Sequence, residues 1–223
     1  MQPLHAWNLT PDEAIELQLT LRNKLVLTWD GPQITTVGGV DMSLKEEKAH
    51  AAIAVFSYPD LKPLEAVTAD APLVFPYIPG LLGFREGPAV LAAWDQLQIK
   101  PDLLMFDGQG IAHPRGFGIA AQMGLWLKRP SIGVAKSRLY GLYDEPGPKR
   151  GDMTRLYDAQ QRVIGMVFRT RERGKPLYIS PGHLIDLPHA LEFVVRCGIG
   201  YRLPEPTRWA HKVAAGEKFP LPA

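Results

Sequence analysis

Asp102-Leu103-Leu104-Met105-Phe106-Asp107-Gly108-Gln109-Gly110 carries four consecutive apolar residues closed by an acid and a glycine-rich turn. An apolar run this short and without alternation is the pattern of a strand buried on both faces. Such a strand needs covering layers on either side, so these residues point to an α/β protein. The flanking segments agree. Upstream, Ile34–Leu44, Ala51–Ser57 and Leu64–Thr68 read as three successive antiparallel strands, with Tyr58-Pro59-Asp60 as a turn. Val90–Leu97 reads as a helix, with Pro88 near its first turn. An earlier helix starts at Pro11-Asp12-Glu13, with acids in its first turn. Downstream, a helix over Ile119–Leu127 and a strand over Ile132–Ala135 follow. Strands are expected at Val163–Phe168 and Leu177–Ile179, and helices at Leu187–Arg196 and Arg208–Ala215. Tyr143–Gly151, rich in Pro, Gly and charge, reads as an exposed loop. The whole gives an α/β fold with a mixed β-sheet flanked by helices, and residues 1–223 as a single domain.

Composition sets the class. With 46% hydrophobic and 22% charged residues, the chain matches an ordinary globular protein that buries a core without staples. The lone Cys197 excludes an internal disulfide framework and sits in an apolar run, as a small core residue does. Met1–Leu17 lacks the basic start and apolar stretch of a leader, and no apolar run reaches the roughly 20 residues that span a bilayer. The expectation is a soluble, cytoplasmic monomer with no membrane partner. Net charge is only +2, yet Lys128–Lys175 holds twelve basic residues against five acidic ones. That asymmetry suits a phosphate-facing side, and equally a solvated basic hairpin.

Three acids fall where elements end. Asp41 follows Val37-Gly38-Gly39-Val40, Glu86 stands at or just before a helix start, and Asp107 closes the apolar run. A carboxylate at the end of a buried strand must leave water, and a hard cation is one compensation. Each acid alone is accounted for by a turn or a cap; the three together make metal chemistry an equal reading. Carboxylate-held ions would activate water and stabilise a leaving oxygen in phosphodiester cleavage. Lys136, after Ile132-Gly133-Val134-Ala135, could neutralise charge developing on phosphate, or be a surface lysine.

Longer motifs then match a family. Pro76-Tyr77-Ile78-Pro79-Gly80, Phe84-Arg85-Glu86, Asp107-Gly108-Gln109-Gly110 and His113-Pro114-Arg115 resemble successive motifs of endonuclease V. Gly133–Leu139 and Gly200–Arg208 continue the resemblance, which runs in order from about Val37 to His211. It implies a ribonuclease H-like fold and a DNA repair enzyme using Mg²⁺, with Mn²⁺ as substitute. The implied reaction is a nick at the second phosphodiester bond 3′ to deoxyinosine, leaving 3′-hydroxyl and 5′-phosphate ends. On this resemblance Asp41, Glu86 and Asp107 hold metal, Lys136 is the basic catalytic residue, and His211 assists beside them. Gly80, Leu82, Gly108 and Ile119 would line the base pocket, with Gly110 allowing close backbone approach. His113, Arg115, Arg138 and Arg202 would contact DNA. Gln109 departs from the histidine usual at its position.

Pro76 and Pro79 stiffen the chain around Tyr77, and Pro79-Gly80 signals a type II turn. A rigid loop presenting an aromatic ring suits a wedge between bases; packing on the core with a bonded hydroxyl is the plainer use. The resemblance favours the wedge. Competing functions are an inosine-specific ribonuclease of the same fold and a catalytically silent nucleic-acid-binding protein. Gly116-Phe117-Gly118-Ile119-Ala120-Ala121 fits a dinucleotide fingerprint, but it stands too far beyond Asp107 to follow that strand tightly. Close helix packing is its expected use. His5, His50, His183 and His189 show no zinc-like spacing.

Overall fold

The computed structural model describes residues 3–31, 33–45 and 47–221. Met1 and Gln2, at the head of the segment read for a leader, lie outside these. In chain order the elements are α1 (Pro11–Leu21), β1 (Thr36–Lys45), β2 (Lys48–Ser57), β3 (Pro63–Pro72), α2 (Leu82–Gln96), β4 (Leu103–Phe106) and α3 (Ile119–Leu127). They continue with β5 (Ser131–Ala135), β6 (Met153–Tyr157), β7 (Val163–Phe168), β8 (Leu177–His183), α4 (Leu187–Arg196) and α5 (Glu205–Ala214). All eight strands form one sheet in the order β3-β2-β1-β4-β5-β8-β7-β6. β1, β4 and β5 run parallel at its centre, and the remaining pairs are antiparallel. This is the mixed sheet that the apolar run implied.

Helices cover both faces. α2 and α3 pack on one side through Val90, Trp94, Met123 and Trp126, over Val40, Leu104 and Phe106. α4 and α5 pack on the other through Phe193, Val194 and Ala210, over Val37, Leu103 and Met105. Adjacent residues of β4 thus serve opposite cores, and all four are buried. Cys197 and both Trp94 and Trp126 are core residues.

Three expectations need correcting. α2 begins at Leu82, so Pro88 lies in its interior and Glu86 lies within the helix rather than before it. An internal proline removes a backbone donor and costs about 3 kcal/mol. Burial of Phe84, Ala89, Val90, Ala93 and Trp94 on the same helix offsets that. β6 had no counterpart in the sequence reading; it is an edge strand with two exposed positions that buries only Leu156 in the core. β8 runs past the expected end at Ile179 to His183, a buried strand residue whose Nδ1 accepts from the Val26 N–H at 3.3 Å. No described helix is long and apolar enough to cross a membrane.

α5 lies directly on β1. A Cβ on Gly39 would come within 2.0 Å of the Pro206 backbone, so glycine here permits backbone-to-backbone contact. Gly118, in the discounted fingerprint, likewise abuts the Gln109 carbonyl at the start of α3, which gives it a packing use.

Candidate active site

The parallel β1–β4 ladder ends at Val40 and Phe106, and the Asp107 N–H donates to the Val40 carbonyl at 2.9 Å. Asp41 and Asp107 are therefore the first residues beyond the paired stretch, at the carboxyl ends where α/β sheets place ligands. Lys136 follows β5 in the same row and ion-pairs with Asp107. His211 comes down from α5, its Nδ1 3.3 Å from Asp41 Oδ2 and 3.5 Å from Lys136 Nζ. One ligand atom each from Asp41, Asp107 and His211 lies within 4.8 Å of the other two. Glu86 approaches from α2, near enough for the charges of Asp41 and Asp107 to act on it.

The electrostatics are those of carboxylates crowded out of water. Asp41 is only 4% exposed and Glu86 7%. Burial, then the hydrogen bond and charge of Asp107, pushes Asp41 up to about 6, with Lys136 and His211 opposing. Burial also pushes Glu86 up to about 7; Arg85 opposes this, and Asp41 and Asp107 add to it. Oxygen donors held together at this cost fit a hard divalent cation, whose charge would relieve the repulsion. Asp41, Asp107 and His211 would hold such an ion, with Glu86 beside them.

Next to the acids is a cavity of about 370 Å³. Ile78, Pro79, Gly80 and Leu82 form one wall, Gly108 and Ile119 a second, and Lys136 to Leu139 a third. Asp107 lies at its edge, so cavity and acids form one continuous site. Tyr77 stands at the rim, 69% exposed, flanked by Pro76 and Pro79, which are also exposed. Its ring is out in solvent, not packed on the core.

Other residues singled out from sequence stand elsewhere. Gly110 does not line the cavity; a Cβ there would meet the Pro181 carbonyl of β8 at 2.0 Å, so its smallness serves strand packing. His113 is buried and its Nε2 bonds the Gly80 carbonyl at 2.8 Å. Burial pushes this imidazole down to about 4. Arg115 is turned inward too, donating from Nη2 to the same carbonyl at 2.8 Å. Arg202 donates to the carbonyls of Lys136, Lys175 and Pro176, bracing the backbone at Lys136. Arg138 alone of these four is exposed, on the cavity wall. The basic segment also divides: Arg169 is buried and bonded to Glu145 and three carbonyls, so it is no surface charge.

Sequence reading missed Gln18. It sits on the buried stripe Ala14, Gln18, Leu21 of α1 and lines the cavity. A polar residue on an apolar helical stripe was the available signal.

Comparison with known proteins fits this geometry. The family model described as Endonuclease V matches residues 19–212. Endonuclease V of Methanothrix thermoacetophila is 47% identical over 93% of this chain and 92% of its own. The crystal structure of endonuclease V from Streptomyces avermitilis superposes with a TM-score of 0.88 at 38% identity, covering 95% of this chain and 94% of that one. That of Ciona intestinalis endonuclease V, in complex with a 23mer DNA containing an inosine followed by a ribo-adenosine, gives 0.81 at 25% identity, over 93% and 98%. The fold is ribonuclease H-like. From its matched length, its relatives and its fold, the chain belongs to the endonuclease V family.

Proposed function

We propose that this protein nicks DNA at the second phosphodiester bond 3′ to deoxyinosine, by hydrolysis that depends on Mg²⁺ or Mn²⁺ and leaves 3′-hydroxyl and 5′-phosphate ends. The observation that carries the reading is the continuity of the acidic cluster with a base-sized cavity behind an exposed tyrosine. A nuclease that reads one base needs that base out of the stack, in a pocket beside the chemistry.

The residues divide the work. Asp41, Glu86 and Asp107, with His211, would hold a divalent ion, which would supply an activated water and charge neutralisation at the scissile phosphate. Lys136, already paired with Asp107, stands ready to offset charge developing on the phosphate. The Tyr77 ring enters the stack and takes the place of the displaced base. The cavity wall of Gly80, Leu82, Gly108 and Ile119 then receives the base, and its backbone groups distinguish a carbonyl with a neighbouring N–H from an amine. Arg138, exposed on the wall formed by Lys136 to Leu139, reaches the DNA backbone.

The deciding experiment is incision of end-labelled duplexes with deoxyinosine or deoxyadenosine at one position, in Mg²⁺ or in EDTA. Cutting only of the deoxyinosine strand, only with Mg²⁺, and one nucleotide beyond the adjacent bond is expected. Equal cutting of both duplexes sinks lesion specificity, and undiminished cutting in EDTA sinks the metal requirement. The Ciona complex, whose inosine is followed by a ribonucleotide, motivates a second arm. A substrate with ribo-adenosine at that position tests whether the 2′-hydroxyl is preferred.

A further inference from the structure

The Gly80 carbonyl accepts three hydrogen bonds: from Gln18 Nε2 at 2.9 Å, His113 Nε2 at 2.8 Å and Arg115 Nη2 at 2.8 Å. An amide oxygen has two lone pairs, so three donors leave it no alternative orientation. Gly80 is held at φ +82°, a left-handed conformation, in the loop that ends in the cavity wall and begins with Tyr77.

The donors are themselves fixed. The Arg115 N–H donates to His113 Nδ1 at 3.1 Å, so His113 is the neutral tautomer carrying its proton on Nε2. Gln18 uses every group it has. Its Nε2 donates to Gly80 and, at 3.1 Å, to the Phe117 carbonyl, while its Oε1 accepts from Arg115 Nε. With 1% exposure, water cannot replace any of these bonds. Phe117 directly precedes Gly118 and Ile119 at the start of α3, so Gln18 ties two walls of the cavity together.

We infer that Gln18 is a positioning residue for lesion recognition: from α1, it locks the Gly80 wall against the Ile119 wall, and so sets the width of the pocket and the pose of the Tyr77 loop. Gln18 lies one residue before the stretch matched by the family model. The inference rests on the proposed deoxyinosine reading, and it makes α1 part of the recognition apparatus rather than a peripheral helix. A preorganised pocket keeps affinity that a loose one loses to ordering. Methionine at position 18 would keep length and bulk but no donor, and glutamate would set a carboxylate against two carbonyls.

The test compares the parent, Gln18→Met and Gln18→Glu on deoxyinosine and unmodified duplexes in Mg²⁺. In Gln18→Met, KM for the deoxyinosine duplex should rise on the order of tenfold while kcat changes much less, and Kd for unmodified duplex should stay within about twofold. Gln18→Glu should show the same split, more severely. A 2-aminopurine placed beside the lesion should brighten less on binding, reporting incomplete insertion of Tyr77. If Gln18→Met melts lower but keeps the parent's KM and 2-aminopurine signal, its role is only structural and the inference is overturned. Should Gln18→Met not fold, Arg115→Lys carries the same test: it keeps the charge but removes Gln18's partner, and an unchanged KM overturns the inference. A parent that cuts both duplexes equally refutes the deoxyinosine reading itself, before any variant is considered.

Discussion

Two halves of one site sit on opposite sides of Asp107 and are built on opposite principles. The acidic half is electrostatically strained: Asp41 and Glu86 are buried, are repelled by each other and by Asp107, and are pushed up to about 6 and about 7. The half proposed for recognition, around Gly80, is saturated, with each donor of Gln18 and His113 in use. The contrast separates two tasks. Chemistry needs stored repulsion that only a cation relieves, whereas recognition needs geometry that nothing must relieve.

Removing a carboxylate should therefore abolish activity while sparing the fold. Asp107→Ala is expected to lower incision on the order of 10³-fold or more, with a melting temperature equal to or above the parent's. A large fall in melting temperature would show that the acids hold the fold together and break the contrast.

The second test is pH. Both carboxyls bind protons more tightly folded than unfolded, where Asp41 would be near 3.8 and Glu86 near 4.5. The stability they contribute to the ion-free protein is present below about pH 4 and is lost as pH climbs through about 6 and 7. Melting temperature in EDTA should thus fall between pH 5 and 8, and the rise on adding Mg²⁺ should grow over the same window. Calorimetry at the two ends, in buffers of different ionisation enthalpy, should show protons released on binding at pH 5.5 and few at pH 8. A Mg²⁺ affinity independent of pH would refute the stored repulsion.

The saturated half should respond in the other sense. Gly80→Ala strains a residue at φ +82° and brings a Cβ within 2.8 Å of Arg115 Nη2. Denaturant unfolding should show a loss of about 1–2 kcal/mol, with weaker discrimination of deoxyinosine but unchanged Mg²⁺ affinity. The smallest effect is expected at Thr10, which caps α1 by accepting from the Glu13 N–H at 3.3 Å while Glu13 accepts from the Thr10 N–H at 2.7 Å. Thr10→Ala should lose about 1 kcal/mol and raise KM slightly, because the cap secures the helix that carries Gln18.

The two halves also differed in how far sequence revealed them. Asp107 was legible because a charge after four buried apolar residues is chemically conspicuous, and α3, β7 and α4 have the bounds expected from sequence. Gln18 was not: its meaning depends on two carbonyls that lie 62 and 99 residues away along the chain. The resemblance makes His113 and Arg115 DNA contacts, whereas the fold aims both at the Gly80 carbonyl, His113 buried and Arg115 half-buried. The start of α2 was obscured by Pro88, since local propensity argued for a later beginning and packing of Phe84 overrode it. β6 buries only Leu156 in the core, and one buried apolar residue in a five-residue strand gives no periodic signal.

The seating of α5 on Gly39 has a consequence for timing. During synthesis the chain emerges N-terminal end first and its segments begin to fold as they appear. A nascent chain extended only as far as Pro204 already contains Asp41, Glu86, Asp107 and Lys136, but lacks His211 and the helix that seals β1. In it the candidate site is uncovered on the α5 side, and the His211 ring that approaches Asp41 is missing. The order of elements thus brings His211 to Asp41 only after all the described strands of the sheet have been made.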